Sequence, residues 1–468
     1  MSVDERVNVL MVTMAFQGHI NPMLKLAKHL ISKGVHVTIA TTEDGRYRML
    51  NTANTNPNNS DVNSQIKLAF FSDGLTPEFD RSDGESLVNT IREKGPKNLS
   101  TLITDLTQVH NYSCVIVNPF VPWAIDVIAE HGIPCALLWI QASSVYSIYY
   151  RFFKNIDQFP NLEDPNEIVR LPGLPPFEVR DVPTLILPST PFYFREFTRE
   201  LYNALDKVKW VLGTSFYEIE EEVVDSLASI TPFYPIGPVV SPFLLGEKEE
   251  SDVSVDMWSV EDSCMEWLDN KPPSSVIYVS FGSMLVTSQT QMDNIATAMR
   301  NSNKSFLWVL KPGSNKDNVA EFSNGFSEET KERVLVVKWC PQEKVLMHSS
   351  VAGFISHCGW NSTLEAVVAG VPLIAWPSWT DQPTTAMLIE NVFRNGVRLR
   401  CGEDGNASAE DIERCIRCVT EGPSAEEIKK RAREMKEAAW KTLQDGGTSS
   451  KNISQFISDL IAGKPDRA

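Results

Sequence analysis

The chain has 468 residues, of which 42% are hydrophobic and 22% charged, and its formal net charge is −17. This length exceeds the size at which a single hydrophobic core stops growing, so we expect two domains of roughly 200 residues each. The acidic balance excludes a nucleic-acid partner, which needs a basic stripe, and no apolar run of about 18 residues predicts a membrane span. Eight scattered cysteines and the lack of a cationic leader predict a cytoplasmic protein with reduced thiols.

The N-terminal residues predict a βαβ unit. Residues 7–14 are predicted to form a strand and residues 15–20 a loop, and Asn21-Pro22 are typical of a helix start. Residues 35–41 are the second predicted strand. Because strands and helices continue to alternate, we expect a doubly wound first half; the further segments are 114–117, 123–130 and 134–140.

Two proline-rich and polar stretches, 51–63 and 157–191, are predicted to be long loops, which commonly carry function. The chain becomes loop-like again near residue 240, which suits an interdomain linker. A second α/β series follows, with strands predicted at 275–281, 305–310, 334–339, 353–356 and 371–376, and helices at 289–300, 362–369 and 385–393. Two α/β domains imply a crevice in which ligands bind.

Polar residues follow the predicted strand 353–356, in the segment His357-Cys-Gly-Trp-Asn-Ser-Thr-Leu-Glu365. A helix is predicted to begin near Asn361, so its free amides and positive dipole end suit a diphosphate. The pattern from Ser362 to Glu365 also fits a capping box, in which both side chains only satisfy helix amides. The residues alone leave these alternatives open.

A span of 44 residues resembles the donor-binding signature of plant family 1 UDP-glycosyltransferases. It begins at Trp339-Cys-Pro-Gln, continues through His357 to Glu365, and ends at Trp379-Thr-Asp-Gln382. The resemblance extends over the whole chain. It implies an α/β fold of two facing Rossmann-like domains (the GT-B type) with an interdomain cleft, and UDP-glucose as donor. The implied domains are an acceptor domain at 1–240, a linker at 241–258, a donor domain at 259–445, and a C-terminal helix at 446–468 that returns to the first domain.

The resemblance also assigns roles within the donor site. It implies that Trp339 stacks on uracil, that Gln342 lies on the nucleoside, and that the Cys340 backbone reads the uracil edge. Glu365 would accept hydrogen bonds from the ribose hydroxyls, and Trp360 would face the sugar. Asp381 and Gln382 would clamp glucose, with the terminal glutamine favouring glucose over galactose. The residues implied to hold the diphosphate are His357, Asn361, Ser362 and Ser283.

Two of these assignments have a simpler alternative. Tryptophan is more often a core residue than a stacking platform, which applies to Trp339. An isolated Asp381-Gln382 pair would be read as a solvated loop acid followed by the first residue of a helix. The family match favours the binding roles over both alternatives.

His19 lies in the segment Gln17-Gly-His-Ile-Asn-Pro22, and the resemblance implies that it is the general base that activates the acceptor. The family usually supplies an aspartate about 100 residues later, to orient the histidine and balance its charge. Here Asn118 stands at that place. Its carbonyl could orient the ring without charge, while Asp126 or a water is an alternative partner.

The asparagine bears on the acceptor. A carboxylic acid with a pKa of about 4 arrives ionised, whereas a phenol at about 10 must lose a proton. The sequence Asn118-Pro-Phe-Val-Pro-Trp123 resembles the plant clade that makes glucose esters of hydroxycinnamic and benzoic acids. We therefore expect inverting glucosyl transfer to small aromatic plant metabolites, with esters of aromatic acids as one product class and phenolic O- or C-glucosides as the alternative.

Two functions of other classes remain as alternatives. A UDP-sugar-binding protein with weak or no transferase activity is kept open by Asn118. A dinucleotide-dependent oxidoreductase is disfavoured, because no Gly-x-Gly-x-x-Gly follows a predicted strand. No metal and no cofactor besides the donor is expected. The expected partners are a UDP-sugar and a small hydrophobic or aromatic acceptor, bound by a monomer.

Overall fold

A computed structural model describes residues 7–46, 66–76, 79, 83–246, 263–282, 288–310, 329–402 and 405–463. The chain divides into two compact units. The first unit runs to Pro242 and takes in the chain from Lys441, and the second contains Phe243–Gly246 and Trp258–Trp440. The predicted loop 51–63, most of the predicted linker and Ser283 lie outside the described residues.

The first unit is built on a seven-stranded sheet in the order β3-β2-β1-β4-β5-β8-β9. Every pairing in it is parallel, as a doubly wound sheet requires. A short antiparallel pair, β6 and β7, stands apart. The strands are β1 Asn8–Val12, β2 His36–Thr42, β3 Ile66–Phe71, β4 Cys114–Val117, β5 Cys135–Trp139, β6 Ile168–Val169, β7 Phe177–Glu178, β8 Val208–Gly213 and β9 Tyr234–Pro235.

The first helix differs from the prediction. It spans Gln17–Ser32, so His19 lies in its first turn rather than in a loop, and Pro22 lies inside it. The amides of His19 and Ile20 both donate to the Phe16 carbonyl, which closes the turn before the expected start. The other helices of this unit are Gly84–Thr107, Trp123–Glu130, Ser143–Phe153, Phe192–Ala204, Glu221–Leu227 and Thr448–Ala462.

The C-terminal helix Thr448–Ala462 packs on the sheet of the first unit. Its buried residues Ile453, Phe456 and Leu460 belong to the same hydrophobic core as strands β1, β2 and β4. The indole N–H of Trp210 donates to the Asp459 carboxylate at 3.1 Å. The end of the chain is thus held by apolar burial and by a polar contact.

The second unit contains a six-stranded parallel sheet in the order β12-β11-β10-β13-β14-β15. Its strands are β10 Val276–Ser280, β11 Ser305–Val309, β12 Val334–Val337, β13 Val351–Ser356, β14 Leu373–Ala375 and β15 Gly396–Arg398. Its helices are Ser263–Asp269, Gln289–Asn301, Gln342–Met347, Trp360–Ala369, Gln382–Met387, the π-helix Leu388–Phe393, Ala409–Thr420 and Gly422–Leu443, the last of which continues into the first unit. Among the described residues, no helix has the length and hydropathy to cross a bilayer.

Candidate active site

In the second unit, the carboxyl ends of β10 and β13 place Gly282 beside His357. The two strands are neighbours in the sheet. A Cβ atom at Gly282, where φ is +70°, would lie 2.8 Å from the His357 ring, and one at Gly359 would lie 2.4 Å from its Nε2. Both positions therefore need glycine, because any side chain would displace the imidazole.

The His357 ring is neutral in this environment. Burial lowers its pKa to about 4, partly opposed by a hydrogen bond with the Ser280 backbone. Its Nδ1 is buried and has no hydrogen-bond partner in the described part of the chain. A bound diphosphate would raise this pKa, since nearby negative charge favours the imidazolium.

The helix that follows His357 spans Trp360–Ala369, and its N-cap, Gly359, makes no side-chain cap. Ser362 therefore lies inside the first turn, and the capping-box interpretation of Ser362 and Glu365 is wrong. The first amides of a helix have no intrahelical acceptor. Cys358 holds the preceding turn at φ 66°, with its amide donating to Ser356 Oγ at 3.1 Å. This turn directs the helix start toward the carboxyl edge of the sheet.

Gln342 is the centre of a side-chain network next to this helix. Its Nε2 donates to Ser362 Oγ at 2.9 Å and to Glu365 Oε2 at 2.7 Å. Its Oε1 accepts from the Tyr278 hydroxyl at 3.1 Å. Both ends of the amide bond to protein groups, so Gln342 orients Glu365. Its expected place on the nucleoside stays a prediction.

Asp381 and Gln382 lie after β14. Asp381 is only 6% exposed, which rules out a solvated loop acid, and its Oδ1 accepts from the Thr380 hydroxyl at 2.9 Å. Gln382 does begin the helix Gln382–Met387. Its Oε1 accepts from the amides of Ser378 and Trp379 at 2.9 and 3.2 Å, so its Nε2 is the end that can donate to a ligand.

The aromatic residues of the donor motif differ in burial. Trp339 follows β12 and is half-buried, and a stacking role for its ring stays a prediction. Cys340 is buried, and its thiol lies 3.4 Å from the Tyr278 hydroxyl. Trp360 is 3% exposed, with its ring centroid 6.4 Å from that of Phe393. Most of the Trp360 side chain is therefore buried, and its expected sugar-facing role stays a prediction.

In the first unit, His19 stacks on Phe120. The ring centroids are 4.2 Å apart and the planes differ by 9°. His19 as a residue is half-buried, and its Nδ1 is buried and without a partner among the described residues. Desolvation lowers the pKa of His19 to about 3.

The predicted contact between Asn118 and the His19 ring is not formed. Asn118 is fully buried, and its Oδ1 accepts from the Phe120 amide at 3.0 Å. Its Nδ2 donates to the backbone carbonyl of His19 at 3.4 Å. Both ends of the Asn118 side-chain amide therefore bond to backbone groups. An asparagine at the start of a turn readily accepts a hydrogen bond from the backbone amide two residues later.

The alternative partner Asp126 is also excluded. Its carboxylate forms an ion pair with Lys207 at 2.7 Å, and more than half of its side chain is exposed. It lies on the helix Trp123–Glu130, with its side chain directed to solvent. His19 thus has no hydrogen-bonded carboxylate within the described residues.

Two functional candidates escaped the sequence analysis, namely Phe120 and Tyr278. Phe120 is two residues beyond Asn118, where the Asn118 turn places it over His19. Tyr278 lies in a fully buried strand, and a buried phenol needs a hydrogen-bond partner. That rule predicts a polar neighbour for Tyr278, although it does not say which one.

Known proteins are similar to this chain in architecture and in sequence. The UDP-glucoronosyl and UDP-glucosyl transferase family matches residues 253–436. The chain is 47% identical to UDP-glycosyltransferase 84B1 of Arabidopsis thaliana, over 98% of this chain and 99% of the relative. It is 36% identical to gallate 1-beta-glucosyltransferase of Quercus robur, over 99% of this chain and 91% of the relative. The crystal structure of Os79 from O. sativa in complex with UDP superimposes with a TM-score of 0.84 at 30% identity, covering 97% of this chain and all of that one.

The fold and these relatives define a GT-B glycosyltransferase that uses a nucleotide sugar. The chain belongs to the plant family 1 UDP-glycosyltransferases, close to the clade that forms glucose esters. The predicted α/β fold class and enzyme class are confirmed. The roles of individual site residues stay predictions.

Proposed function

We propose that this enzyme transfers glucose from UDP-glucose to the carboxylate of a small aromatic acid, with inversion, and so forms a glucose ester. The observation that carries this proposal is His19, which has no carboxylate partner among the described residues and whose pKa is lowered to about 3. Such an imidazole is a poor base for a phenol at about 10. An acid that arrives ionised needs no base.

The proposed reaction balances without proton transfer. A carboxylate oxygen attacks the anomeric carbon, the bond from that carbon to the β-phosphate oxygen breaks, and UDP leaves with the electron pair. His19 stays neutral and offers one N–H donor to the attacking carboxylate. It lies in the first turn of helix Gln17–Ser32, where the helix dipole favours an anion.

The donor unit supports UDP-glucose as the sugar source. The start of helix Trp360–Ala369 supplies donors for the diphosphate, with Asn361 and Ser362 on its first turn. His357 adds a donor once the bound diphosphate has raised its pKa and the ring is protonated. Buried Glu365 is held by Gln342 and suits ribose hydroxyls. Gln382 presents a donor, and Asp381 an acceptor, for the sugar. The proposed transfer uses no metal and no further cofactor, so full activity in excess EDTA is expected.

All eight cysteines are free thiols, which supports a reducing compartment. On that ground we propose a cytoplasmic enzyme. We also propose that it acts as a monomer. Size-exclusion chromatography coupled to light scattering tests the oligomeric state, and a fluorescent fusion tests the compartment.

A matched set of acceptors tests the ester proposal. 4-Hydroxybenzoate carries both nucleophiles, 4-methoxybenzoate only the carboxylate, and methyl 4-hydroxybenzoate only the phenol. We expect UDP release with the first two and little with the third, and products that hydroxylamine or mild alkali cleaves. Products that survive alkali, or activity confined to the phenol, would replace the ester proposal with O- or C-glucosylation. UDP binding without turnover on any acceptor would favour a sugar-nucleotide-binding role.

A further inference from the structure

We infer that Tyr278, which lies outside the donor motif, is a positioning residue for ribose recognition and acts through Gln342 on the Glu365 carboxylate. The inference rests on the proposed function, because the ribose belongs to the UDP-sugar that this unit would bind. Tyr278 lies on β10, whereas Gln342 and Glu365 lie on two helices after other strands of the sheet. The tertiary structure alone brings the three together.

The contacts form a continuous chain. The Tyr278 hydroxyl donates to Gln342 Oε1 at 3.1 Å, and Gln342 Nε2 donates to Glu365 Oε2 at 2.7 Å. Tyr278 is 1% exposed and Glu365 8%. Bulk water therefore competes little for these bonds, and each polar atom depends on its protein partner.

Chemistry fixes the direction of every bond in this chain. An ionised Glu365 only accepts, so the Gln342 amide must turn its NH₂ toward the carboxylate and its oxygen toward Tyr278. The phenol then has to donate. The Cys340 thiol also lies 3.4 Å from the phenol oxygen.

Packing holds the phenol in place as a donor. Its ring stacks on Phe354, with centroids 4.7 Å apart and an interplanar angle of 28°. Burial raises the pKa of Tyr278 well above its usual value, so the hydroxyl keeps its proton. Without that proton donor, the Gln342 oxygen loses this hydrogen-bond partner, and the Nε2 contacts with Ser362 and Glu365 are left to hold the amide in place.

The test compares UDP with 2′,3′-dideoxy-UDP, which lacks the ribose hydroxyls, by calorimetric titration of the full-length enzyme. The wild type should prefer UDP. Tyr278→Phe should weaken UDP binding about fivefold to tenfold, the size of one buried hydrogen bond, and leave the dideoxy analogue almost unchanged. In steady state, KM for UDP-glucose should rise by a similar factor while kcat is retained.

Thr363→Val is the matched control, because Thr363 is also fully buried, lies on the same helix as Glu365, and has a hydroxyl without a partner among the described residues. Its affinities for both ligands should equal those of the wild type. Gln342→Met keeps the side-chain volume and removes the middle of the chain of contacts. It should lower the UDP preference as Tyr278→Phe does, and the double variant should add little.

Equal weakening of both ligands by Tyr278→Phe, or an unchanged preference for UDP, would overturn the inference and leave the donor site intact. If Tyr278→Phe does not fold, the ratio of the affinities of Gln342→Met for UDP and for 2′,3′-dideoxy-UDP decides instead. A wild type that binds neither ligand would overturn the proposed donor site, and the inference with it.

Discussion

The imidazole of His19 and the ring of Phe120 lie parallel, with centroids 4.2 Å apart and planes 9° apart. The Asn118 side chain accepts a hydrogen bond from the Phe120 amide at 3.0 Å. Asn118, at the position where the family usually has an aspartate, thus stabilises the turn that places the Phe120 ring against His19. A flat apolar surface fixes the plane of the histidine without giving it charge. The arrangement suits a neutral imidazole that orients an anionic acceptor.

Replacing Phe120 tests this positioning. Phe120→Leu keeps apolar volume but loses the flat face, and kcat with a carboxylate acceptor should fall about threefold to tenfold, the size of one aromatic pair. Phe120→Tyr should stay within about twofold, an order-of-magnitude expectation for retained stacking. UDP affinity should change in neither variant. Equal losses in both variants would show that volume, not stacking, matters.

Asn118→Asp should shift the preference among acceptors. A buried carboxylate near His19 would raise the pKa of that histidine, because opposite charge favours the imidazolium. The ratio of kcat/KM for methyl 4-hydroxybenzoate over 4-methoxybenzoate should therefore increase.

The same substitution removes the donor to the His19 carbonyl and buries a charge, so we also expect a lower melting temperature. Asn118→Ala is the control, since it loses the turn and gains no charge. In Asn118→Ala, kcat/KM should fall by a similar factor for both acceptors. An unchanged acceptor ratio in Asn118→Asp would contradict the charge argument.

Gln382→Glu separates two roles of the glutamine. A glutamate can still accept from the amides of Ser378 and Trp379, but it cannot donate to the sugar. KM for UDP-glucose should rise about tenfold, as for one hydrogen bond between sugar and protein, while the affinity for UDP alone is retained. Gln382→Ala also releases the loop and should raise KM further. Unaltered kinetics of Gln382→Glu would place the sugar contact elsewhere.

The lowered pKa values of His19 and His357 predict a pH dependence of stability. The pKa of His19 is about 3 and that of His357 about 4 in the folded protein, against 6.5 for an unperturbed histidine. The unfolded chain therefore binds more protons below pH 6.5, and stability is lost as pH falls from there toward 4. His19→Gln and His357→Gln should each lose less stability than the wild type between pH 7 and pH 5.

Melting temperatures across that range provide the measurement. The exposed His36 offers the matched control, and His36→Gln should follow the wild-type curve. Parallel curves for all four proteins would contradict the assignment of neutral, desolvated rings to His19 and His357.

Local patterns determined much of this fold. Apolar runs of strand length and helical periodicity predicted the parallel α/β units, because side-chain period and chain direction are local properties. The start of the first helix was misplaced at Asn21-Pro22, although it begins at Gln17. A favourable N-cap residue competes with tertiary packing, and here the packed turn at Phe16 prevailed.

The 44-residue donor motif by itself identified the family, through its resemblance to the family's donor-binding signature, and the resemblance implied the donor. Only the tertiary structure decided which side chains work together. Asn118 was expected to touch the His19 ring, yet it bonds the backbone and Phe120 supplies the contact. Tyr278 meets Gln342 across 64 residues of sequence. Such contacts depend on strand order and side-chain rotamers. The packed core sets both, and neither produces a recognisable residue spacing in the sequence.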